Sequence, residues 1–307
     1  NPLFDKVFLR SAKRNGIRTI GMVRSWDNLT SKGTIQILPD VLILHTERMK
    51  KQAIRYAGMH ARNIVVTGPP EYDSVFRPPR LAREKFMKSI GADPSAKLIL
   101  FAPFYDRFTG SAVIMINGLV DAIDRGRLPK NTHILVRYRP DTPNIPEGAV
   151  GKSICVSISK PCSLTFPIQT KIMLARKDWE FSASDVDLFH DSLRFCDVMI
   201  NTFSTFTIDA IAYNKPTIGI RFDADPATPP LSRITHVPDR HDHYRELEAT
   251  QGVKLVYSMD GLIKGINDYF LHPEKDAEGR RRMRDEQIQF FDGMSGKRIV
   301  FAIKNLL

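Results

Sequence analysis

Short apolar runs rich in β-branched residues alternate with amphipathic helical patterns along most of the chain. Parallel strands need a crossover of a dozen or more residues, usually a helix, so this alternation predicts an α/β fold with parallel sheets. The predicted strands span residues 17–23, 41–44, 63–67, 98–102, 133–138, 198–200, 217–220 and 254–257. The predicted helices span residues 47–56, 81–90, 112–124, 185–195, 207–213, 259–270, 277–291 and 296–306. The composition of residues 142–167 indicates short strands or a long irregular segment. Residues 226–240 are predicted to form a Pro-rich loop.

The length of 307 residues predicts two domains, because a domain usually holds about 100–200 residues. The Pro-rich stretch Arg77-Pro78-Pro79 opens a predicted linker over residues 77–95. A hydrophobic fraction of 42% and a charged fraction of 26% exclude a disordered tail, a collagen and a disulfide scaffold. The three cysteines, an odd number, indicate a reducing compartment, so we expect a cytoplasmic protein, with a location at the inner face of the membrane left open.

Positive charge is concentrated at the start of the chain. The formal net charge is +11, and residues 1–76 alone hold 12 Lys+Arg against 6 Asp+Glu. This excess favours an anionic partner, such as a phospholipid surface or a phosphorylated small molecule, with a solvated surface as the alternative. Nucleic acid is not a predicted partner, because the sequence has neither zinc-finger spacing nor an aromatic-basic run of the RNP type.

The most informative stretch covers residues 197–220, where a strand, a polar turn and a helix follow one another. Hydroxyls and free backbone N–H groups at a helix start form an anion site, and a carboxylate one turn further on can accept from a ribose hydroxyl. An ordinary capped helix explains the same hydroxyls, and the spacing alone favours neither interpretation. The candidate donor-binding residues here are Asn201, Thr202, Ser204, Thr205 and Asp209.

In this stretch Asp197, Ser204-Thr205, Asp209 and Lys215-Pro216 follow the order found in the donor-binding half of GT-B glycosyltransferases. The sequence resembles that class, and most of all its CDP-glycerol glycerophosphotransferase-like and bacterial surface-polysaccharide transferases. Many GT-B enzymes have Glu where this chain has Asp209. Residues 68–73, 98–104 and 292–299 are similar to further segments of these transferases, so the likeness covers most of the chain in the right order.

The resemblance implies a GT-B-like α/β fold with two Rossmann-type domains facing a cleft, the N-terminal one incomplete. Residues 1–76 would be the partial acceptor-side domain and residues 96–307 the donor-binding domain. It implies a glycosyltransferase or polyol-phosphate transferase that uses a nucleotide-activated sugar or polyol phosphate as donor substrate, without a cofactor. The acceptor would be a cell-surface glycan or a lipid-linked precursor, which leaves open an anionic membrane surface as a further partner.

Two further elements of the C-terminal half are candidates for donor contacts. Arg137 and Arg139 lie at i and i+2 of a strand end, on one face, where guanidinium groups suit a pyrophosphate; a salt-bridged strand end is the alternative. Residues 236–243 hold three His and two Asp, but without the spacing of a metal site, and GT-B transferases typically need no metal at the reaction centre. We predict no metal and a loop over the donor site, with His243 or Tyr244 near the nucleotide; a surface loop without function is the alternative.

Residues 24–33 form a polar loop after the first predicted strand. Similar Ser-Trp-Asp-Asn-x-Thr-x-Lys-Gly segments occur in bacterial surface-carbohydrate proteins of this fold. An inverting transferase needs a base for the acceptor hydroxyl, and Asp27 is the candidate. An Asx turn, in which Asp27 bonds its own loop, is the alternative that the residues favour. The candidate acceptor-side residues are Arg24, Trp26, Asn28 and Lys32.

Two other functions remain open. A sugar-nucleotide 2-epimerase on the same fold would need several carboxylates and His, for which Asp27, Asp106, Asp209 and the residues 236–243 lack diagnostic spacing. A non-catalytic protein that binds a nucleotide sugar, or acts as a scaffold, would keep the fold without the chemistry.

Overall fold

The computed structural model describes residues 2–31, 33, 35–103, 111–138, 155–159, 181–202, 204–228, 233 and 242–305. The helices of these residues are α1 (Pro2–Arg14), α2 (Asn28–Ser31), α3 (Glu47–Ala57), α4 (Arg83–Ser89), α5 (Ser111–Asp124), α6 (Ala183–Phe195), α7 (Phe206–Ala212), α8 (Asp242–Ala249), α9 (Met259–Leu271), α10 (Ala277–Gln287) and α11 (Ser295–Lys304). The strands are β1 (Ile20–Met22), β2 (Val41–Leu44), β3 (Ile64–Val66), β4 (Lys97–Ala102), β5 (Thr132–Arg137), β6 (Val156–Ser159), β7 (Val198–Asn201), β8 (Thr217–Ile220) and β9 (Lys254–Val256). No helix in this part of the chain is long and apolar enough to cross a membrane.

The chain divides into two compact units that are not contiguous in sequence. Unit 1 comprises residues 1–77, 241–249 and 281–307, and unit 2 comprises residues 78–240 and 250–280. This grouping differs from the linear division into residues 1–76, 77–95 and 96–307, because two later segments return to the first. Phe291 packs on Phe76 with their ring centroids 4.8 Å apart, and Arg48 of α3 pairs with Glu246 of α8.

Unit 1 contains a parallel sheet in the order β1-β2-β3. Every residue of β2 is buried, and Leu42 and Leu44 pack with Met49 and Ala53 of α3 and with Ile64 of β3. The predicted strand over residues 17–23 is shorter in the structure. The backbone N–H and hydroxyl of Thr19 both donate to the carboxylate of Asp40, at 2.7 Å, and the strand begins only after this contact.

Unit 2 contains a six-stranded parallel sheet in the order β6-β5-β4-β7-β8-β9. Successive residues of β4 face opposite sides: Ile99 and Phe101 pack into one buried cluster, Leu98 and Leu100 into another. Side chains of α5 and α9 fill the first cluster, and side chains of α4, α6 and α7 contribute to the second. Burial on both faces explains why these strands appear as continuous apolar runs, and the predicted α/β fold with parallel sheets is confirmed.

Helix α8 is the clearest element that the sequence did not predict. Its inward positions at i, i+4 and i+7 are His243, Leu247 and the following Thr250, so only one of the three is apolar. A helix with so weak an apolar stripe resembles a polar loop in sequence.

Candidate functional site

The polar turn formed by residues 201–202 and 204–205 lies where the strand order of unit 2 reverses. The chain runs from β4 outward to β5 and β6, then returns to the other side of β4 and continues through β7, β8 and β9. The pair β4 and β7 therefore forms the topological switch point, and Ala102 is in register with Asn201 at its carboxyl end. Ligands of open α/β sheets bind outside the carboxyl ends of strands at such a point.

The side chains of this turn have different roles. Asn201 is fully buried and its amide donates to the hydroxyl of Thr207 at 2.8 Å, so it fastens the strand to α7. Thr202 is buried as well. The hydroxyl of Ser204 accepts from the backbone N–H of Phe206 at 3.2 Å, whereas Thr205, the N-cap residue of α7, is exposed and makes no side-chain capping bond. Of the four predicted contact residues in the turn, Ser204 and Thr205 present their side chains nearest to solvent.

Asp209 belongs to a polar cluster between α6 and α7. Burial raises the pKa of Tyr213 to about 12; the charge of Arg194 opposes this shift, and the negative charge of Asp209 adds to it. The hydroxyl of Tyr213 lies 2.8 Å from Nδ1 of His190, and the Arg194 guanidinium stands 5.3 Å from the centre of the Tyr213 ring. The sequence analysis missed His190, Arg194 and Tyr213, because the contact between α6 and the end of α7 is tertiary and leaves no pattern in the sequence.

Arg137 ends β5, two strands from the turn. Its guanidinium lies 5.3 Å from the centre of the Phe189 ring and donates to the backbone carbonyl of Asp185 at 3.4 Å. Burial lowers the pKa of Arg137 to about 10, and the charge of Asp185 opposes this shift, so the side chain stays cationic at neutral pH. Arg139 lies outside the described residues.

The predicted acceptor-side loop lies at the carboxyl end of β1 in unit 1. Trp26 is buried, Asp27 and Asn28 are half-buried and Arg24 is exposed. The Asp27 carboxylate accepts from the hydroxyls of Ser25 and Ser31, each at 2.7 Å, and its backbone carbonyl begins the short helix α2. These contacts match the turn interpretation, and they also fix the carboxylate in one orientation. Lys32 lies outside the described residues.

His243, predicted near the donor, belongs to unit 1 and packs on Trp26. The two ring centroids are 4.9 Å apart in an edge-to-face arrangement, and the Tyr244 ring lies 6.3 Å from Trp26. Burial raises the pKa of Tyr244, and the negative charge of Asp27 raises it further, so Tyr244 keeps its proton beside that carboxylate. His236, Asp239 and His241 lie outside the described residues.

His45 is a further group that the sequence analysis missed. It follows β2 directly, at the same edge of the sheet as the Trp26–Asp27 loop, and is 2% exposed. Its Nε2 atom is buried without a hydrogen-bond partner among the described residues. Burial lowers the pKa of His45 to about 4, although a hydrogen bond with the Val23 backbone opposes the shift, so the ring is neutral at physiological pH.

The parallel sheets of the two units and the comparison with solved structures show a GT-B-like fold. No protein-family model matches the chain, and no curated protein matches it significantly. Solved structures do.

The chain is similar to Staphylococcus aureus MnaA in a structure with UDP, at 15% identity and a TM-score of 0.59, over 97% of this chain and 70% of that one. It is similar to the UDP-GlcNAc 2-epimerase of Neisseria meningitidis bound to UDP-GlcNAc, at 13% identity and a TM-score of 0.59, over 97% and 72%. It is also similar to the wall teichoic acid polymerase TagF, in a variant soaked with CDPG, at 13% identity and a TM-score of 0.54. That match covers 87% of this chain and 57% of TagF. At these identities the similarity establishes the fold.

Proposed function

We propose that the protein is a GT-B-type transferase that binds a nucleotide-activated sugar or polyol phosphate at the switch point of unit 2. The observation that carries the proposal is the Ser204-Thr205 turn, which follows β7 at the carboxyl end of the β4–β7 pair. Support comes from neighbours of the same fold that bind UDP or UDP-GlcNAc or were soaked with CDPG.

The side chains of unit 2 suit the nucleotide of such a donor. The cationic Arg137 would neutralise phosphate charge as the nucleotide leaves, and the hydroxyls of Ser204 and Thr205 would donate to phosphate oxygens. Asp209, in the first turn of α7, would accept from a ribose hydroxyl.

Unit 1 would receive the acceptor, a cell-surface glycan or lipid-linked precursor. Asp27 would take the proton from the attacking hydroxyl, because Ser25 and Ser31 hold its carboxylate in place. Trp26 and His243 would supply the apolar wall of that site. A metal-independent reaction follows from the resemblance and stays a prediction.

A sugar-nucleotide 2-epimerase is the second candidate. The UDP-GlcNAc 2-epimerase of Neisseria meningitidis matches 97% of this chain at a TM-score of 0.59, against 87% at 0.54 for TagF. An epimerase converts its substrate without an acceptor, whereas a transferase needs one. Incubation with UDP-GlcNAc alone, followed by NMR of the sugar, distinguishes the two: formation of the 2-epimer would replace our first proposal.

Donor binding is tested by calorimetric titration with UDP, CDP, GDP, CMP and their activated sugars. We expect one of these series to bind, and the double substitution Ser204→Ala with Thr205→Ala to weaken it at least about tenfold. The control is Ser89→Ala with Ser95→Ala, which removes two hydroxyls around the α4–β4 connection, at the opposite edge of the same sheet. Equal affinity of the Ser204/Thr205 variant and the control would exclude the donor site, and binding without turnover would favour a non-catalytic protein.

A further inference from the structure

Unit 1 contains a groove between its strand β3 and helix α11. Its volume is about 560 Å³, within the range of about 300–1,000 Å³ typical of sites for small organic ligands. The strand and the residue after it contribute Val65, Val66 and Thr67, and the helix with its flanks contributes Met294, Lys297, Arg298, Phe301, Ala302 and Asn305.

The wall of the groove is apolar, although it opens to solvent. Ala302 is buried at 8% exposure, whereas Phe301 is 69% exposed and Met294 is 42% exposed. The one hydroxyl in the lining, that of Thr67, already donates to the backbone carbonyl of Gly68 at 3.1 Å. Large apolar side chains that line a concave surface and remain exposed to solvent indicate a binding site for an apolar group.

The cations on the rim are not equivalent. Arg298 pairs with both carboxylate oxygens of Asp292, and its guanidinium stands 4.6 Å from the centre of the Phe290 ring. Lys297 is exposed and has no ion pair within the described part of the chain. Unit 1 holds 20 Lys+Arg against 12 Asp+Glu, so eight of the eleven excess positive charges of the protein lie in this unit. The groove thus combines an apolar wall with a cation that has no ion pair among the described residues, in the unit that carries most of the excess positive charge.

We propose that this groove binds a single-chain amphiphile with a phosphate head group, the chain against Val66, Phe301 and Ala302 and the phosphate at Lys297. Neighbouring strands are about 4.8 Å apart, so the carboxyl end of β3 lies roughly 10 Å from that of β1, where Asp27 follows. If the proposed transferase function holds, the groove would carry the lipid part of a lipid-linked acceptor. The binding itself does not depend on that function.

The test is calorimetric titration of the whole chain with dodecyl phosphate, below the concentration at which it forms micelles. We expect saturable binding at one site. Lys297→Gln should weaken it about tenfold, through loss of the charge-assisted contact, and Phe301→Ser at least about tenfold, through loss of the apolar wall. Both side chains are exposed, so neither variant should unfold. The matched controls are Lys304→Gln and Val300→Ser, exposed residues of α11 outside the lining, which should bind within about twofold of the unmodified protein.

Several outcomes would overturn the proposal. If dodecyl maltoside binds equally well, the groove does not recognise the phosphate head group. If inorganic phosphate binds equally well, the groove does not recognise the alkyl chain. A dimer that Phe301→Ser dissociates in sedimentation would make the groove a contact between copies. Nucleotide titrations of the same variants should be unchanged, so a failure of the donor proposal and a failure of the groove can be told apart.

Discussion

The Asp73 carboxylate accepts hydrogen bonds from the backbone N–H groups of Ser295 and Gly296, at 3.0 and 2.8 Å. A side chain from the first quarter of the protein thereby caps the last helix of the same unit. The cap satisfies two N–H groups that α11 cannot satisfy itself, and it places a negative charge at the positive end of the helix. Two segments that resemble separate family motifs in sequence, residues 68–73 and 292–299, are one contact in the folded unit.

Replacement of Asp73 by Ala should lower the free energy of unfolding of unit 1 by about 1 kcal/mol, because the helix loses its cap. Asp73→Asn, which keeps one accepting oxygen, should lose less. Urea denaturation followed by circular dichroism measures both variants. If Asp73→Ala and the unmodified protein unfold at the same urea concentration, the cap does not stabilise α11.

The turn at residue 68, close to this cap, requires glycine. Gly68 has φ +82°, and a Cβ there would lie 2.5 Å from the Ser295 hydroxyl oxygen. Gly58 has φ +67°, with nothing within 4 Å of a Cβ. Gly58→Ala should therefore lower the free energy of unfolding only by the strain of a positive φ, about 1 kcal/mol. Gly68→Ala should lower it by at least about 1 kcal/mol more, because of the contact with Ser295. In the Gly68→Ala protein, Ser295→Ala should restore part of the loss; equal costs at the two glycines would refute the clash.

The fold was largely predictable from the sequence, since buried parallel strands are apolar on both faces and the helices between them are amphipathic. The strand over 41–44 and the helix over 47–56 are examples in which local pattern and tertiary structure agree. The grouping of α8 and α11 with unit 1 was not predictable. It depends on contacts such as Asp73 with Gly296, which span more than 200 residues and leave no periodic signal.

The site was predictable only in part. Strand ends single out the Ser204-Thr205 turn and the Trp26–Asp27 loop as candidates, because ligands of open parallel sheets bind outside the carboxyl ends of strands. The sequence could not say that the Asn201 amide turns inward to Thr207, or that His243 packs on Trp26. These orientations follow from tertiary packing. His45 gave no signal, since a lone His after an apolar strand is also what an ordinary core residue looks like.

His45 should make the stability of unit 1 depend on pH. Its pKa is about 4 in the folded protein against 6.5 for the ordinary side chain, so between these values the unfolded chain binds more protons. Stability is then complete above pH 6.5 and falls as the pH drops towards 4, by up to about 3 kcal/mol. His45→Leu should flatten this part of the profile, whereas His60→Leu, at an exposed position of the same unit, should not. Parallel profiles for His45→Leu and the unmodified protein in urea titrations from pH 4 to 8 would contradict the burial of a neutral ring.

Arg137 should act on the phosphates of the donor and not on its base. Arg137→Met should weaken a nucleoside diphosphate about tenfold to a hundredfold and leave the free nucleoside unchanged. The matched control is Arg125→Met, an exposed arginine of unit 2 that pairs with Asp121 at 2.7 Å. Calorimetry at two salt concentrations measures both, because a phosphate contact weakens as salt rises. Equal losses for nucleoside and diphosphate would assign Arg137 to packing against Phe189.

Asp27 has two candidate roles, a turn residue and a general base, and one substitution distinguishes them. In Asp27→Asn the amide can still bond the hydroxyls of Ser25 and Ser31, so the turn and the unfolding free energy should be kept. The amide cannot take a proton, so turnover of the sugar nucleotide should fall at least about a hundredfold while donor affinity stays the same. The acid limb of the pH–rate profile should disappear with it. If Asp27→Asn keeps both turnover and profile, the carboxylate only holds its loop, and the base of the reaction is another group.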